Sequence, residues 1–427
     1  MFATKKLSDI AVIYNGNSIN KKVKQEKYMN NVPGWNYIGT KDVDFDGTVT
    51  YKTGVIIPFS EMKFKTAPAG TVFVCSEGGS AGKKTALIKE EVCFGNKLFA
   101  IVNKYDKFIP KYVYYYTRYE AFLKQFKLMA STLMGGITAK NFGSIEIPLP
   151  AKPEQEQIVV RIEELFSDLD NAVETLNITK QKLELYRQAV IKEAFTGAFT
   201  KSYRKSHDTS IKNELCWLND KQISNLPPIP TTWKYVLLSN LGDLGRGKSK
   251  HRPRNDSKLF DDGIYPFLQT SEVKAADKYI TKYSKMYNDF GLKQSKLWPA
   301  GTLCITIAAN IAETAFLGID ACFPDSVVGF TPSENVLSEY IRYFIESQKA
   351  QLSAFAPATA QKNINLTTLE NLVIPYCTLQ EQKQIVNEIE SRLTVYLNIE
   401  ETVNNALEQA SAMRQSILKQ AFEGRLI

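Results

Sequence analysis

Three groups of residues have types and spacing that could do chemistry. Gly242-Asp243-Leu244-Gly245-Arg246-Gly247-Lys248-Ser249 spells GxxxxGK[ST], the phosphate loop of nucleotide hydrolases. Such a loop works only where it opens a helix, whose first amides and lysine hold the phosphates. Lys250-His251-Arg252-Pro253-Arg254-Asn255-Asp256 follows and reads as no helix start, and the matching stretch 11–18 keeps one glycine and no lysine. Asp262 with Glu272-Val273-Lys274 resembles the metal-binding carboxylates and lysine of a nuclease, yet its counterpart, Asp42-Val43-Asp44, has no lysine. The two histidines, His207 and His251, make no triad, and the Asp/Asn-Pro-Pro-Tyr/Phe tetrapeptide of amino-methyltransferases is absent. No catalytic residue and no metal site is expected.

What these groups leave is a cationic surface. Arg246, Lys248, Lys250, Arg252 and Arg254 alternate, so an extended segment puts all five cations on one side. Lys21, Lys22, Lys24 and Lys27 follow the matching Gly16, Lys83-Lys84 sits in a Gly-rich turn, and Lys140-Asn141 pairs with Lys362-Asn363. Arg and Lys bind phosphates and read guanine edges, while Asn and Gln suit adenine. Recurrence of such clusters at equivalent places favours DNA over a solvated loop.

The elements that must position them are duplicated. Residues 147–200 align without a gap on 374–427, with 19 of the 54 pairs identical. Both copies carry heptads over about five repeats: Ile162, Leu169, Leu176, Leu183 and Val190 with Ile158, Leu165, Ala172, Thr179 and Tyr186, then Ile389, Tyr396, Val403, Ala410 and Ile417 with Ile385, Arg392, Ile399, Ala406 and Met413. Thr378 and Glu381 read as a capping box, Pro153 falls in a first turn, and Gly197 and Gly424 end the helices. A helix of about 43 residues is about 65 Å long, so each rod should pair with its twin as an antiparallel coiled coil.

Residues 1–146 and 226–373 repeat more loosely. Leu7-Ser8-Asp9-Ile10, Trp35 to Thr40 and Pro68-Ala69-Gly70-Thr71 answer Leu238-Ser239-Asn240-Leu241, Tyr265 to Thr270 and Pro299-Ala300-Gly301-Thr302. Each head shows short strands at 55–59, 71–75, 98–102, 302–307 and 315–319, and one helix, about 111–127 or 338–355. The tyrosine row on those helices, with Tyr114 and Tyr115 opposite Tyr343 and Phe344, is assigned to the core rather than to base stacking. Residues 201–225 read as a polar linker before Leu226-Pro227-Pro228-Ile229-Pro230. The expected fold is α+β: two pseudo-symmetric heads joined by two long helices.

Lys plus Arg number 53 against 45 Asp plus Glu, a net charge of +8, which suits a binder of a polyanion. Six cysteines without a CxxC pair read as reduced and buried. Met1 to Ile10 lacks an apolar signal core and no run reaches about 18 apolar residues, so the expected location is the cytoplasm, with no membrane partner.

Ile147-Pro148-Leu149-Pro150, Glu154-Gln155-Glu156-Gln157-Ile158, the Arg187-Gln188 to Phe195-Thr196-Gly197 ending and their repeats resemble the conserved regions of specificity subunits of type I restriction-modification enzymes. The likeness covers head, rod, head and rod. It implies two target-recognition domains, each reading one half of a bipartite asymmetric site on double-stranded DNA, and a coiled-coil spacer. It also implies docking of two modification subunits and of restriction subunits, with S-adenosylmethionine, ATP and magnesium on those partners and no cofactor here. A coiled-coil assembly scaffold that binds no DNA is the alternative.

Overall fold

The computed structural model describes residues 2–29, 32–104, 106–130, 136–212, 216–354 and 363–427. The chain forms two compact units, residues 1–178 with 403–427, and residues 179–402. In unit 1 the head holds a sheet of Ala11–Asn15, Leu98–Asn103, Val72–Cys75 and Thr85–Leu87, in that order. A second sheet runs Ile56–Pro58, Gly34–Ile38, Val92–Phe94 and Thr66–Ala67. Thr4–Lys6 pairs antiparallel with Glu146–Pro148, closing the head on the segment that enters the first long helix. Val72–Cys75 and the first four residues of Leu98–Asn103 are buried without alternation, as strands covered on both faces must be.

Unit 2 repeats this plan strand for strand. Its larger sheet runs Gly242–Arg246, Val327–Pro332, Leu303–Thr306 and Thr314–Leu317, with Tyr279–Ile280 added at the edge. Its second sheet runs Lys285–Tyr287, Tyr265–Phe267, Ala321–Cys322 and Leu297–Trp298, and Lys234–Leu237 pairs with Val373–Tyr376. The strands therefore fall within a residue or two of their expected places.

The expected head helices are each broken once. Head 1 has Pro110–Thr117 and Glu120–Met129; head 2 has Ser338–Ser347 and Lys349–Ala354, and Phe355 lies outside the described residues. Tyr112, Tyr116, Tyr343 and Phe344 are buried and Tyr114 and Tyr115 pack on the core, so the tyrosine row is structural. The segment 201–225 is more ordered than a linker: it carries helices Lys201–Ser206 and Asp220–Ile223, and Trp217 bridges to Val236.

The long helices are Lys152–Ala194 and Leu379–Phe422, and both contribute to both units. In unit 1 Ile158, Val159 and Ile162 share a core with Ile417, Leu418, Ala421 and Phe422. In unit 2 Ile191, Ala194 and Phe195 share one with Ile385, Val386 and Ile389. Each unit thus joins the start of one helix to the end of the other, which is antiparallel pairing. Gly197 and Gly424 take positive φ, 78° and 72°, where a left-handed residue ends a helix.

One heptad line holds throughout. Ile389, Tyr396, Val403, Ala410 and Ile417 are buried, and Ile162 and Val190 bracket half-buried Leu169, Leu176 and Leu183. The second line needs correction. Ile399 is 42% exposed, and Ala172, Tyr186 and Met413 are exposed as well. Thr179, Arg392 and Ala406 are half-buried as expected, with Leu393 and Leu407 half-buried beside the last two; elsewhere the covered positions lie one residue on, at Phe166, Val173 and Arg187, and at Glu400 and Arg414. A spacing of four rather than three turns the stripe, so Ile158, Leu165 and Ile385 owe their cover to the helix ends, where the heads add a wall.

Head and rod are joined by the repeated Glu-Gln words. Gln155 accepts from the Ile109 amide at 2.8 Å and donates to the Pro150 carbonyl at 2.8 Å. Gln382 accepts from the Leu337 amide at 2.8 Å and donates to the Cys377 carbonyl at 2.8 Å. Ile109 and Leu337 are the N-cap residues of the head helices, so each glutamine supplies an acceptor to an amide that its own helix leaves bare. Tyr112 and Tyr340 then donate their hydroxyls to the Pro148 and Pro375 carbonyls.

The capping box at Thr378 is half formed. The Thr378 hydroxyl accepts from the Glu381 amide at 3.4 Å, but the buried Glu381 carboxylate turns away to the Thr200 hydroxyl and the Arg204 guanidinium, both at 2.7 Å.

Candidate nucleic-acid interface

The phosphate-loop spelling has no phosphate loop behind it. Gly242–Arg246 is a strand, and the amides beyond it are already engaged: Gly247 donates to the Val327 carbonyl at 2.9 Å, Lys248 to Phe323 at 3.0 Å and Lys250 to Gln294 at 3.2 Å. A Cβ at Gly247 would lie 2.2 Å from the Phe323 carbonyl, so this glycine admits a neighbouring backbone rather than a ligand. The nuclease-like carboxylates are a duplicated turn. Asp42 accepts from the Gly39 amide at 2.8 Å, and Glu272 from the Gln269 amide at 3.1 Å, from Ser271 and from Ser284. Burial raises the Glu272 pKa, but those hydroxyl and amide donors outweigh it and leave the pKa lowered. Among the described residues no cluster of His, Cys, Asp and Glu could hold a metal, and no helix is long and apolar enough to cross a membrane.

The basic segment of head 2 alternates as expected only from Arg246 to Arg252; Pro253 is exposed as well, so Arg254 falls outside the pattern. Arg246, Lys248, Lys250, Arg252 and Arg254 are exposed, while Gly247 and Ser249 between them are buried and His251 is half-buried. Three of these cations are oriented by the protein itself. Arg246 donates to the Asp325 carbonyl through Nε and Nη2, at 2.9 and 2.6 Å, and Arg252 to the Ser249 carbonyl at 2.6 Å. Arg254 Nη2 meets both oxygens of the Asp325 carboxylate, at 2.8 and 3.1 Å. His251 pairs with Asp256 at 2.8 Å, and that contact, first among its causes, lowers the Asp256 pKa.

In head 1 Lys21, Lys22 and Lys24 ride a short helix, Lys21–Lys27, capped by Asn20. The Lys24 ammonium lies 4.5 Å from the centre of the Tyr37 ring, and partial burial, then the neighbouring Lys41, lowers its pKa. Lys83 and Lys84 donate to the Gly79 and Thr40 carbonyls at 3.4 and 3.2 Å, tying the Gly-rich turn down. Lys140 is exposed, whereas Asn141 Nδ2 donates to the Met129 carbonyl at 3.1 Å and so anchors a helix. Asn363 is exposed and bridges Ala308; Lys362 lies outside the described residues. Five cysteines are buried as expected, but Cys216 is exposed.

Sequence reasoning missed Asp325, which lies 71 residues from Arg254 and carries the charge opposite to the one sought. Its signal was indirect: Asp325, two residues before the strand Val327–Pro332, is equivalent to Asn96, two residues before Leu98–Asn103, and the two differ in charge.

The family model described as type I restriction modification DNA specificity domain matches residues 1–185 and 230–409. The EcoBI specificity subunit of Escherichia coli is 24% identical over 436 residues, spanning 98% of this chain and 85% of the relative. The StySPI specificity subunit of Salmonella potsdam is 24% identical over 382 residues, 85% of this chain and 76% of the relative. Among solved structures, the HsdS subunit of Thermoanaerobacter tengcongensis aligns with a TM-score of 0.57 at 17% identity, covering 99% and 97% of the two chains. A chain from a type I R-M system complex aligns with a TM-score of 0.75 at 16% identity, covering 99% and 98%.

Proposed function

The chain belongs to the type I restriction modification DNA specificity family, and on that premise we propose that it is the non-catalytic, DNA-reading subunit of a type I restriction-modification assembly. Each head reads one half of a bipartite, asymmetric site on double-stranded DNA. The two long helices set the gap between the half-sites and carry the docking surfaces for two modification subunits and for restriction subunits. S-adenosylmethionine, ATP and magnesium act on those partners, in the cytoplasm. The observation that carries this reading is the contrast within the repeat: the sheets match strand for strand, while the loops at the ends of matched strands differ in charge.

A footprint of the full chain on duplex DNA, taken with its modification subunits, tests this. Two separated protected patches are expected, with affinity falling steeply as salt rises because phosphate contacts release counterions. Binding indifferent to sequence and salt would support the scaffold alternative, and ATP binding by the chain alone would refute a non-catalytic role.

A further inference from the structure

One loop junction recurs in both heads with different hydrogen-bonding chemistry. In head 1 the first sheet strand ends at Asn15, whose Nδ2 donates to the Asn96 carbonyl at 2.8 Å. In head 2 that strand ends at Arg246, which donates to the Asp325 carbonyl at 2.9 and 2.6 Å. The strand register shows that these are the same place. Asn15 pairs with Phe99 and Arg246 with Val328, and in each head the accepting carbonyl lies three residues before that partner. Lys65 precedes the strand Thr66–Ala67 and donates to the Asn15 carbonyl at 3.1 Å, while its counterpart Lys296, before Leu297–Trp298, lies 3.5 Å from the centre of the Trp298 ring.

On this shared frame the accepting position presents different groups. Head 1 has Asn96, an exposed amide. Head 2 has Asp325, whose carboxylate grips Arg254 by Nη2. An asparagine amide offers one donor and one acceptor, the complement of adenine N6 and N7; a guanidinium offers parallel donors, the complement of guanine O6 and N7. A surface built only to hold phosphate would gain nothing from Asp325, because its charge repels the backbone. Its two contacts run through one nitrogen of Arg254, Nη2, so they tether the guanidinium beside the junction and leave Nε and Nη1 to meet a base edge.

We propose that this junction is the base-reading element of each head: Asn96 reads an adenine in one half-site, and Arg254, with Asp325 as its positioning residue, reads a guanine in the other. The proposal rests on the chain being a DNA reader. Selection of bound duplexes from a randomised pool by the full chain, wild type and variant, tests it, with unchanged melting curves confirming the fold. Wild type should enrich a two-part motif. Arg254→Gln should cut the preference for one guanine about 10- to 100-fold and leave the other half-site intact, and Asn96→Ala should do the same to one adenine in the opposite half. Asp325→Asn should relax the guanine preference while raising affinity for unrelated duplex, since a negative charge is lost.

The proposal is overturned if the Arg254 and Asn96 variants weaken binding to all sequences alike with the motif unchanged, or if Asp325→Asn raises affinity without relaxing any position. A wild-type chain that enriches no motif would instead bring down the DNA-reader function on which the proposal stands.

Discussion

Removal of Arg204 should unfold unit 2 far more readily than its place in a polar segment implies. Glu381 is fully buried, and its Oε1 takes both the Thr200 hydroxyl and the Arg204 guanidinium at 2.7 Å, while Arg204 also donates to the Gly197 carbonyl at 2.6 Å. Arg204→Ala leaves a carboxylate in the interior with one hydroxyl for company, and breaking such a pair costs about 3–5 kcal/mol. With an m-value of about 3 kcal/mol per molar urea, the midpoint falls by about 1–2 M. Three of the four tryptophans, Trp217, Trp233 and Trp298, belong to unit 2, and the Arg204 guanidinium lies 5.6 Å from the Trp233 ring centre, so tryptophan fluorescence in urea reads this transition. The double change Arg204→Met with Glu381→Leu should recover most of the loss, because replacing both charges by apolar groups avoids the desolvation penalty. Glu154 is the equivalent residue of unit 1 and is half-buried; Glu154→Ala should cost no more than about 1 kcal/mol, its helix-terminal share. A midpoint unchanged in Arg204→Ala, or a double variant as weak as the sum of the singles, would refute the argument.

Gln155→Leu and Gln382→Leu each strand an N-cap amide and a carbonyl, so each should lower stability by about 2–4 kcal/mol in urea denaturation, in unit 1 and unit 2 respectively. Thiol labelling at pH 8 should find one fast site, Cys216; Cys93, whose pKa burial pushes up to about 12, carries almost no thiolate there and should stay unlabelled until the protein unfolds. Lys248→Ala should leave nucleotide binding at background and reduce the slope of log affinity against log salt by about one, as loss of a single phosphate contact does.

The rods were legible because one residue per heptad stays apolar from Ile389 to Ile417, and that line is buried from end to end. Its companion was misplaced by one residue at several turns because the apolar letters at Ile399 and Met413 outweighed Arg187 and Arg414, long side chains that cover the seam with their stems and end on carboxylates, Arg187 on that of Glu346. Arg414 does so beside Phe166, its guanidinium 4.9 Å from the ring centre, with Asp170 as its ion-pair partner. Glu381 was misread for a different reason. A capping box is a local pattern, and the groups that drew the carboxylate away lie 177 and 181 residues earlier in the chain. The basic loop of head 2 was visible as alternation in a single strand of text, but Asp325 was not, since only the strand register brings it to Arg246.

That exchange of helix ends makes neither head self-sufficient with its adjoining rod. Phe422 packs against Tyr112, Tyr116 and Tyr119 of head 1, with ring centres 5.0 to 5.8 Å apart, although it follows head 2 in sequence. Phe195 packs in the same way on Tyr340 and Phe344 of head 2, each at 5.0 Å. Truncation before Val403 therefore strips Ile417, Leu418 and Phe422 from the core of unit 1 while leaving unit 2 whole. Three buried side chains of this size contribute about 5–9 kcal/mol, which rivals the whole stability of a domain. Limited proteolysis of the truncated chain should then degrade residues 1–146 and spare 226–373, the head nearer the cut. Protection of both heads, or loss of the nearer one, would mean that each rod serves its own head and that the exchange carries no stability.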